Sequence, residues 1–120
     1  MTLDTVQEKV KLAVHLAAEK KAIDPKVMEI GKVSIIADYF IVLSGLNQRH
    51  VQAVTDFIVD EFKKRGVPAL RQEGYREGRW VLLDYGDLVI HIFLEEERNF
   101  YNLERLWGHA PKVDNIEKFI

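Results

Sequence analysis

The stretch Tyr39-Phe40-Ile41-Val42-Leu43 decides the fold, because it is a continuous run of aromatic, aliphatic and β-branched residues. Such a run is typical of a strand that is covered on both faces. Ser44-Gly45 ends the run, and Asn47 is a good cap for a long helix that stops at Gly66. The apolar stripe of this helix consists of Val51, Val54, Phe57, Ile58 and Phe62. We therefore predict a central strand followed by a helix that packs on it.

Upstream of the central strand, the chain predicts a helix, a short strand and one helical turn. The helix has apolar residues at helical spacing and ends near Lys21. Its start is a capping box formed by Asp4 and Gln7 or by Thr5 and Glu8. Asp24-Pro25 then breaks the pattern, because a residue before proline is pushed out of the helical region. The strand is predicted over Lys26–Ile30, and the helical turn over Ser34–Asp38.

Downstream of the long helix, the pattern predicts three strands and a last helix. The first strand covers Val67–Gln72. Arg79–Leu83 and Leu88–Leu94 surround Tyr85-Gly86, which has the turn chemistry of a β-hairpin. Glu96–Trp107 has apolar residues at spacings of three and four and predicts the last helix. This order of elements indicates a single mixed β-sheet with packed helices, an α/β or α+β sandwich.

The length and composition exclude several classes of protein. The chain has 120 residues, of which 48% are apolar, and this is enough to build the core of one domain. Its 17 Lys and Arg against 19 Asp and Glu give a net charge of -2, so no basic field covers it as a nucleic-acid domain requires. We expect no DNA binding, and RNA contact that is local and secondary.

The absence of cysteine bears on compartment and chemistry. With no cysteine there is no disulfide framework and no thiolate nucleophile, which fits a reducing cytosol. The first residues hold no apolar stretch of signal-peptide length, and the longest nearly uncharged run is shorter than a membrane span. We therefore expect a cytoplasmic protein that does not interact with membranes.

The patterns that carry catalysis are missing from the sequence. Asp84 and Asp87 flank Tyr85-Gly86 three residues apart, which is typical of turn formers, with a metal role as the alternative. The four histidines form no His-x-x-x-His pair, and no serine lies in a nucleophile elbow. Gly74-x-x-x-Gly78 lacks the Lys-Ser or Lys-Thr of a phosphate-binding loop. We expect no enzymatic activity, no cofactor and no metal.

The hairpin carries more apolar side chains than a small sheet needs. His91 shares a face of its strand with Val89 and Phe93, which is typical of a core or half-buried residue. A contact surface and a general base are the alternative roles for His91. Trp80 and Leu82 share one face of the first hairpin strand. Since a small sheet usually leaves one face polar, this surplus lies under a helix or against another protein.

Basic and aromatic residues alternate near the start of the hairpin. Arg71, Arg76 and Arg79 are interleaved with aromatic residues, as on surfaces that bind single-stranded nucleic acid. Glu73 and Glu77 lie among them and offset much of the positive charge. RNA binding and an ordinary mixed-charge edge of a hairpin both remain open for this region.

Several longer motifs occur together in this chain. They are Ala37-Asp38-Tyr39-Phe40-Ile41-Val42-Leu43-Ser44-Gly45, Arg49-His50-Val51, Glu73-Gly74, Trp80-Val81-Leu82-Leu83-Asp84-Tyr85-Gly86-Asp87, Val89-Ile90-His91-Ile92-Phe93 and Arg98-x-Phe100-Tyr101-x-Leu103-Glu104-x-Leu106-Trp107. From the first helix to about Pro111, the chain resembles the ribosomal silencing factor family, also called the Iojap family. The resemblance implies one domain over residues 1–111, followed by a C-terminal tail over 112–120. It also implies a nucleotidyltransferase-like fold without the catalytic residues.

The resemblance implies a translation repressor that acts without chemistry. Such a protein binds the large ribosomal subunit at its intersubunit face, through the ribosomal protein numbered fourteen. It sterically blocks association with the small subunit and so silences translation under nutrient limitation. A homodimer is implied for the free protein. The alternative is an RNA-binding accessory factor in large-subunit biogenesis that uses Arg71, Arg76 and Arg79.

The resemblance also places the partner-binding residues. They are Asp84, His91, Arg98, Tyr101, Glu104 and Trp107, with Trp80 as an apolar neighbour. Tyr101, Glu104 and Trp107 are three apart, so on a continuous last helix they would offer an aromatic anchor beside a carboxylate. For some of these residues, packing in the core is the alternative role.

Overall fold

A computed structural model describes residues 3–113, apart from the side chain of Phe100. The helices are α1 (Val6–Glu19), α2 (Gln48–Lys64), α3 (Glu95–Tyr101) and α4 (Leu103–Leu106). The strands are β1 (Ile23–Met28), β2 (Tyr39–Gly45), β3 (Arg71–Glu73), β4 (Trp80–Asp84), β5 (Leu88–Leu94) and β6 (Lys112–Val113). The strands form one sheet in the order β3-β4-β5-β2-β1-β6. Among the described strands only β2 and β5 pair in parallel, so the predicted single mixed sheet of an α+β fold is confirmed.

The predicted central strand lies at the centre of the sheet. All residues of β2 are buried, and the strand pairs with β5 on one side and with β1 on the other. Ile41 and Leu43 face a core that α1 and α2 cover. Phe40 and Val42 face a second core on the opposite side of the sheet. The apolar run is therefore continuous because each face of β2 has its own cover.

Both long helices begin where the sequence predicts. The Thr5 side chain accepts from the Glu8 N–H, and the Glu8 carboxylate accepts from the Thr5 N–H, which completes the capping box of α1. The Asn47 side chain accepts from the His50 N–H and caps α2. The stripe of α2 is buried at four of its predicted positions, while Phe57 is half-buried.

Two predictions upstream of β2 were wrong. The predicted strand forms, but both of its bounds were wrong: β1 begins at Ile23 and ends at Met28. Its pairing with β2 is irregular between Ile23 and Lys26, which accommodates Pro25. The predicted helical turn over Ser34–Asp38 is absent; a 3₁₀ turn forms earlier, over Ile30–Lys32. The Gly31 N–H donates to the Asp38 carbonyl at 2.9 Å and closes the loop between them.

The predicted strand over Val67–Gln72 was wrong over most of its length. The Val67 N–H still donates to the Phe62 carbonyl at the end of α2, so this residue belongs to the helix terminus. Pro68 follows and has no N–H for a ladder. Pairing with β4 therefore begins only at Arg71.

The predicted continuous helix over Glu96–Trp107 was also wrong. Asn102 adopts the left-handed conformation, with φ 47°, and separates α3 from α4. Its side chain accepts from the Arg105 N–H at 3.2 Å and so starts the second helix. Asparagine takes this conformation more readily than most residues because its short amide can bond locally.

The segment after Gly108 reaches the other edge of the sheet. Lys112 and Val113 form β6 and pair with β1, and Val113 is buried. The rest of the tail that the resemblance implies, residues 114–120, lies outside the described residues. Within residues 3–113, no helix is long and apolar enough to cross a bilayer.

Gly74 provides a test of the packing between the β3–β4 connection and the sheet. Its φ is +82°, and a Cβ added there would overlap the Trp80 carbonyl oxygen. Gly66 has a φ of +80°, but nothing lies within 4 Å of an added Cβ. We expect Gly66→Ala to lower the free energy of unfolding by about 1 to 2 kcal/mol through backbone strain alone. Gly74→Ala should cost at least about 3 kcal/mol, because overlap adds to the same strain. Urea denaturation of both variants measures the difference, and equal losses would contradict this packing.

Candidate partner-binding surface

The second face of the sheet is covered less completely than the first. Its core consists of Met28, Ile30, Ala37, Phe40, Val42, Val89, Phe93, Leu103 and Ala110. Instead of long helices, the short helices α3 and α4 and loop segments supply its cover. Trp80, Leu82 and Trp107 pack against this core but stay partly exposed. Tyr101 and Leu106 are 45% and 65% exposed. We call Trp80, Leu82, Tyr101, Leu106 and Trp107 the aromatic face.

The rings on this side form a continuous path. Tyr101 packs on Trp80 with ring centroids 4.6 Å apart, and Trp80 lies 6.0 Å from His91. His91 meets Phe40 edge to face at 4.7 Å, and Phe40 meets Trp107 in the same way at 5.8 Å. Such aromatic pairs stabilise a folded protein by more than the burial of their surface area alone would. The path therefore holds both ends of the aromatic face in fixed positions.

His91 lies beneath the aromatic face. Its side chain is buried, with 4% exposed, and its Nδ1 accepts from the Trp80 Nε1–H at 3.1 Å. The ring is therefore neutral with its proton on Nε2, which has no hydrogen-bond partner among the described residues. Burial lowers the pKa of His91 to about 4. The interpretation of His91 as a core residue is confirmed, and its role is to orient Trp80.

The protonation of His91 should make stability depend on pH. A histidine in the unfolded chain titrates near its ordinary pKa of 6.5, whereas native His91 stays neutral down to about pH 4. Below pH 6.5 the unfolded chain binds a proton that the native chain does not, so the free energy of unfolding falls as the pH drops. Between about pH 7 and about pH 4.5, the wild type should lose roughly 2 kcal/mol more than His91→Asn. Asn does not titrate, and its amide oxygen can still accept from Trp80.

Urea denaturation of both proteins at the two pH values measures this difference. Equal losses in the wild type and in His91→Asn would show that His91 is protonated as easily in the native chain as in the unfolded one.

Arg98 is buried, with 7% exposed, and connects four elements. Its guanidinium donates to both carboxylate oxygens of Glu104, at 2.8 and 3.2 Å. It also donates to Ser44 Oγ at 3.0 Å and to the Ile23 carbonyl at 3.3 Å. Because most of its donors are satisfied inside the protein, Arg98 ties α3 to α4 and to the sheet.

Asp84 lies away from the aromatic face. It ends β4, about 13 Å along the strand from Trp80. Its carboxylate accepts from the Gly86 N–H at 2.8 Å, which confirms its interpretation as a turn former. Asp87 pairs with Lys9 at 3.1 Å on the helical side. No group of three or more possible metal ligands occurs in the described part of the chain.

The structure thus brings together some of the predicted site residues and separates others. Trp80, Tyr101 and Trp107 reach the surface, His91 and Arg98 lie beneath it, and Glu104 joins Arg98. Leu82 and Leu106 are not among the partner-binding positions that the family motifs imply. The surplus of apolar residues in the hairpin and near the last helix already indicates both from the sequence.

The basic residues near the hairpin are partly neutralised. Arg71 pairs with Glu73 at 2.9 Å and approaches Asp84 at 3.9 Å. Arg79 lies 3.9 Å from Glu97. These exposed pairs are weak, but they offset the positive charge that a phosphate backbone would need.

The structure is thus a small α+β protein whose second sheet face carries a partly exposed aromatic face. Residues 3–119 match the family described as "Ribosomal silencing factor during starvation". The chain therefore belongs to the ribosomal silencing factor family, and the resemblance read from its motifs is confirmed.

Relatives and solved structures agree with this assignment. The chain is 41% identical to the protein named "Ribosomal silencing factor RsfS" from Halalkalibacterium halodurans, over 90% of this chain and 92% of the relative. A crystal structure of a protein from Chromobacterium violaceum superposes with a TM-score of 0.84 at 34% identity, covering 87% of each chain. A mouse protein named "Mitochondrial assembly of ribosomal large subunit protein 1" is 33% identical over 82% of this chain, which spans 44% of that relative.

Proposed function

We propose that this chain represses translation by binding the large ribosomal subunit through its aromatic face. Family membership and the relatives named ribosomal silencing factor support the ribosome as the target. The observation that carries the proposal is the incomplete cover of the second sheet face, with Tyr101 and Leu106 substantially exposed. Exposed aromatic and aliphatic groups around a packed core are the usual anchors of a protein interface.

The mechanism that we propose is steric. The chain occupies the intersubunit face, bound to the ribosomal protein numbered fourteen, and leaves no room for the small subunit. It acts in the cytoplasm under nutrient limitation and uses neither catalysis nor a cofactor. A folded body is enough for this task, because occlusion requires only affinity and volume. The free protein is a homodimer in this proposal.

The residues that carry binding have distinct roles in the proposal. Trp80, Tyr101 and Trp107 contact the partner, joined by Leu82 and Leu106. His91, Arg98 and Glu104 hold these side chains in place. Asp84 stabilises the hairpin turn and lies outside the contact. We base the assignment of contact and supporting residues on the burial and the hydrogen bonds of each side chain. It leaves fewer contact residues than the family motifs imply.

Two exposed leucines provide a matched test of the surface. Leu106 lies on the aromatic face and is 65% exposed, whereas Leu70 precedes β3 and is 73% exposed. Truncating either one should leave stability nearly unchanged. We expect Leu106→Ala and Tyr101→Ala each to raise the concentration that blocks subunit joining by about tenfold, since each removes an interface anchor. Leu70→Ala should block joining as well as the wild type does.

Sedimentation of mixed ribosomal subunits in the presence of each variant measures joining. Circular dichroism and thermal unfolding of the same preparations establish that each variant is folded. Equal potency of Leu106→Ala and Leu70→Ala would place the contact elsewhere on the protein.

A second candidate function is an RNA-binding accessory factor in large-subunit biogenesis. The mouse relative's name, which refers to assembly of the large subunit, favours it. Binding would then depend on Arg71, Arg76 and Arg79 and would weaken steeply with salt. Tight binding to the isolated ribosomal protein numbered fourteen, with a shallow dependence on salt, would favour the first proposal instead.

A further inference from the structure

One ion pair spans the break at Asn102, and we propose that this pair sets the geometry of the aromatic face and thereby its affinity for the large subunit. Arg98 lies on α3 and Glu104 on α4, on opposite sides of the break. Two hydrogen bonds, of 2.8 and 3.2 Å, join the side chains. This inference rests on the proposed function and deepens it, because it makes Arg98 and Glu104 positioning residues.

The backbone alone holds α4 weakly. α4 spans only Leu103–Leu106, and a helix of that length is not stable by itself in water. The left-handed turn at Asn102 interrupts the helical hydrogen bonds that would otherwise fix its direction. Leu103 is the residue of α4 that is buried in the core. Beyond the end of α4, Trp107 packs on Phe40. The direction of α4 relative to α3 therefore depends on these two side-chain contacts, on the Asn102 cap and on the Arg98–Glu104 pair.

The Arg98 side chain is held in place by contacts other than the one with Glu104. Its guanidinium is bonded to Ser44 Oγ on β2 and to the Ile23 carbonyl on β1, so the sheet immobilises it. A guanidinium that binds both oxygens of a carboxylate fixes direction as well as distance. The half-buried Glu104 is consequently held against an anchor that belongs to the centre of the fold.

Residues of the aromatic face lie on both sides of the break that this pair spans. Tyr101 is the last residue of α3, Leu106 is the last residue of α4, and Trp107 follows α4 directly. Tyr101, Asn102 and Leu106 line one open groove, so the separation of the two helices sets its shape. When the pair opens, Trp107 keeps its contact with Phe40, whereas the exposed Leu106 is free to move away from Tyr101. A surface that spends only part of its time in the binding geometry loses affinity in proportion.

Glu104→Gln is the first variant to test, because it preserves size and removes the charge that Arg98 holds. We expect its affinity for purified large subunits to fall about tenfold, as for a binding geometry occupied about a tenth of the time. Arg98→Lys keeps the charge but loses the fork, and should weaken binding to a similar extent if it folds. Glu97→Gln is the control, since Glu97 also lies on α3 and faces an arginine, Arg79, at 3.9 Å. Its affinity should equal that of the wild type.

Hydrogen exchange in the free protein separates positioning from general destabilisation. In Glu104→Gln, amides of residues 103–107 should exchange faster, while those of β2 and α2 keep their wild-type protection. Unchanged exchange of residues 103–107 would overturn the proposal, because the pair would then hold nothing in place.

A double-mutant cycle with Leu106→Ala separates positioning from direct contact. If Glu104 acts through α4, its substitution should cost less affinity once Leu106 is truncated, so the two losses are not additive. Additive losses would mean that Glu104 binds the partner independently, and would overturn the inference. If the wild type binds large subunits and Glu104→Gln binds them with equal affinity, the inference is overturned and the proposed function stands. A wild type that does not bind large subunits would overturn the proposed function as well.

Discussion

The burial of β2 on both of its faces is the constraint on which the rest of the structure depends. A strand of apolar residues at the centre of a mixed sheet requires cover on two sides. α1 and α2 provide it on one side with long amphipathic stripes. On the other side, α3, α4 and loops provide the cover among residues 3–113, so it is thinner and aromatic rings reach the surface. The need to cover both faces of β2 therefore builds the core, and the thin cover on the second side keeps the aromatic face partly exposed.

Two buried polar side chains order the second side of the sheet. His91 uses its one accepting nitrogen to orient Trp80, and Arg98 uses its fork to orient α4. Each side chain is buried, and removing the partner of either one would lower the free energy of unfolding, because a buried polar group would lose its hydrogen bonds. Both lie directly under residues that we propose for the interface. Family membership and the geometry of this surface therefore both support the proposed interface.

The sequence predicted the parts of the fold that depend on a local hydrophobic pattern. The continuous run through Ile41, the helical stripe of α2 and the alternation along β5 are clear patterns of this kind, and the structure confirms all three. It did not predict features that depend on single residues or on distant partners. The left-handed Asn102 breaks a helical pattern that continues on both sides of it. β6 is two residues long and exists only because β1 offers it an edge. The burial of Arg98 depends on acceptors from β1 and β2, which no local pattern reveals.

The most direct test of the central claim is a cryo-electron microscopy structure of the protein bound to large ribosomal subunits. The proposal predicts a density on the intersubunit face in which Tyr101, Leu106 and Trp107 meet a ribosomal protein while α1 and α2 point away from it. A complex in which α1 or α2 forms the contact, or in which the bound chain leaves the small-subunit side open, would contradict it.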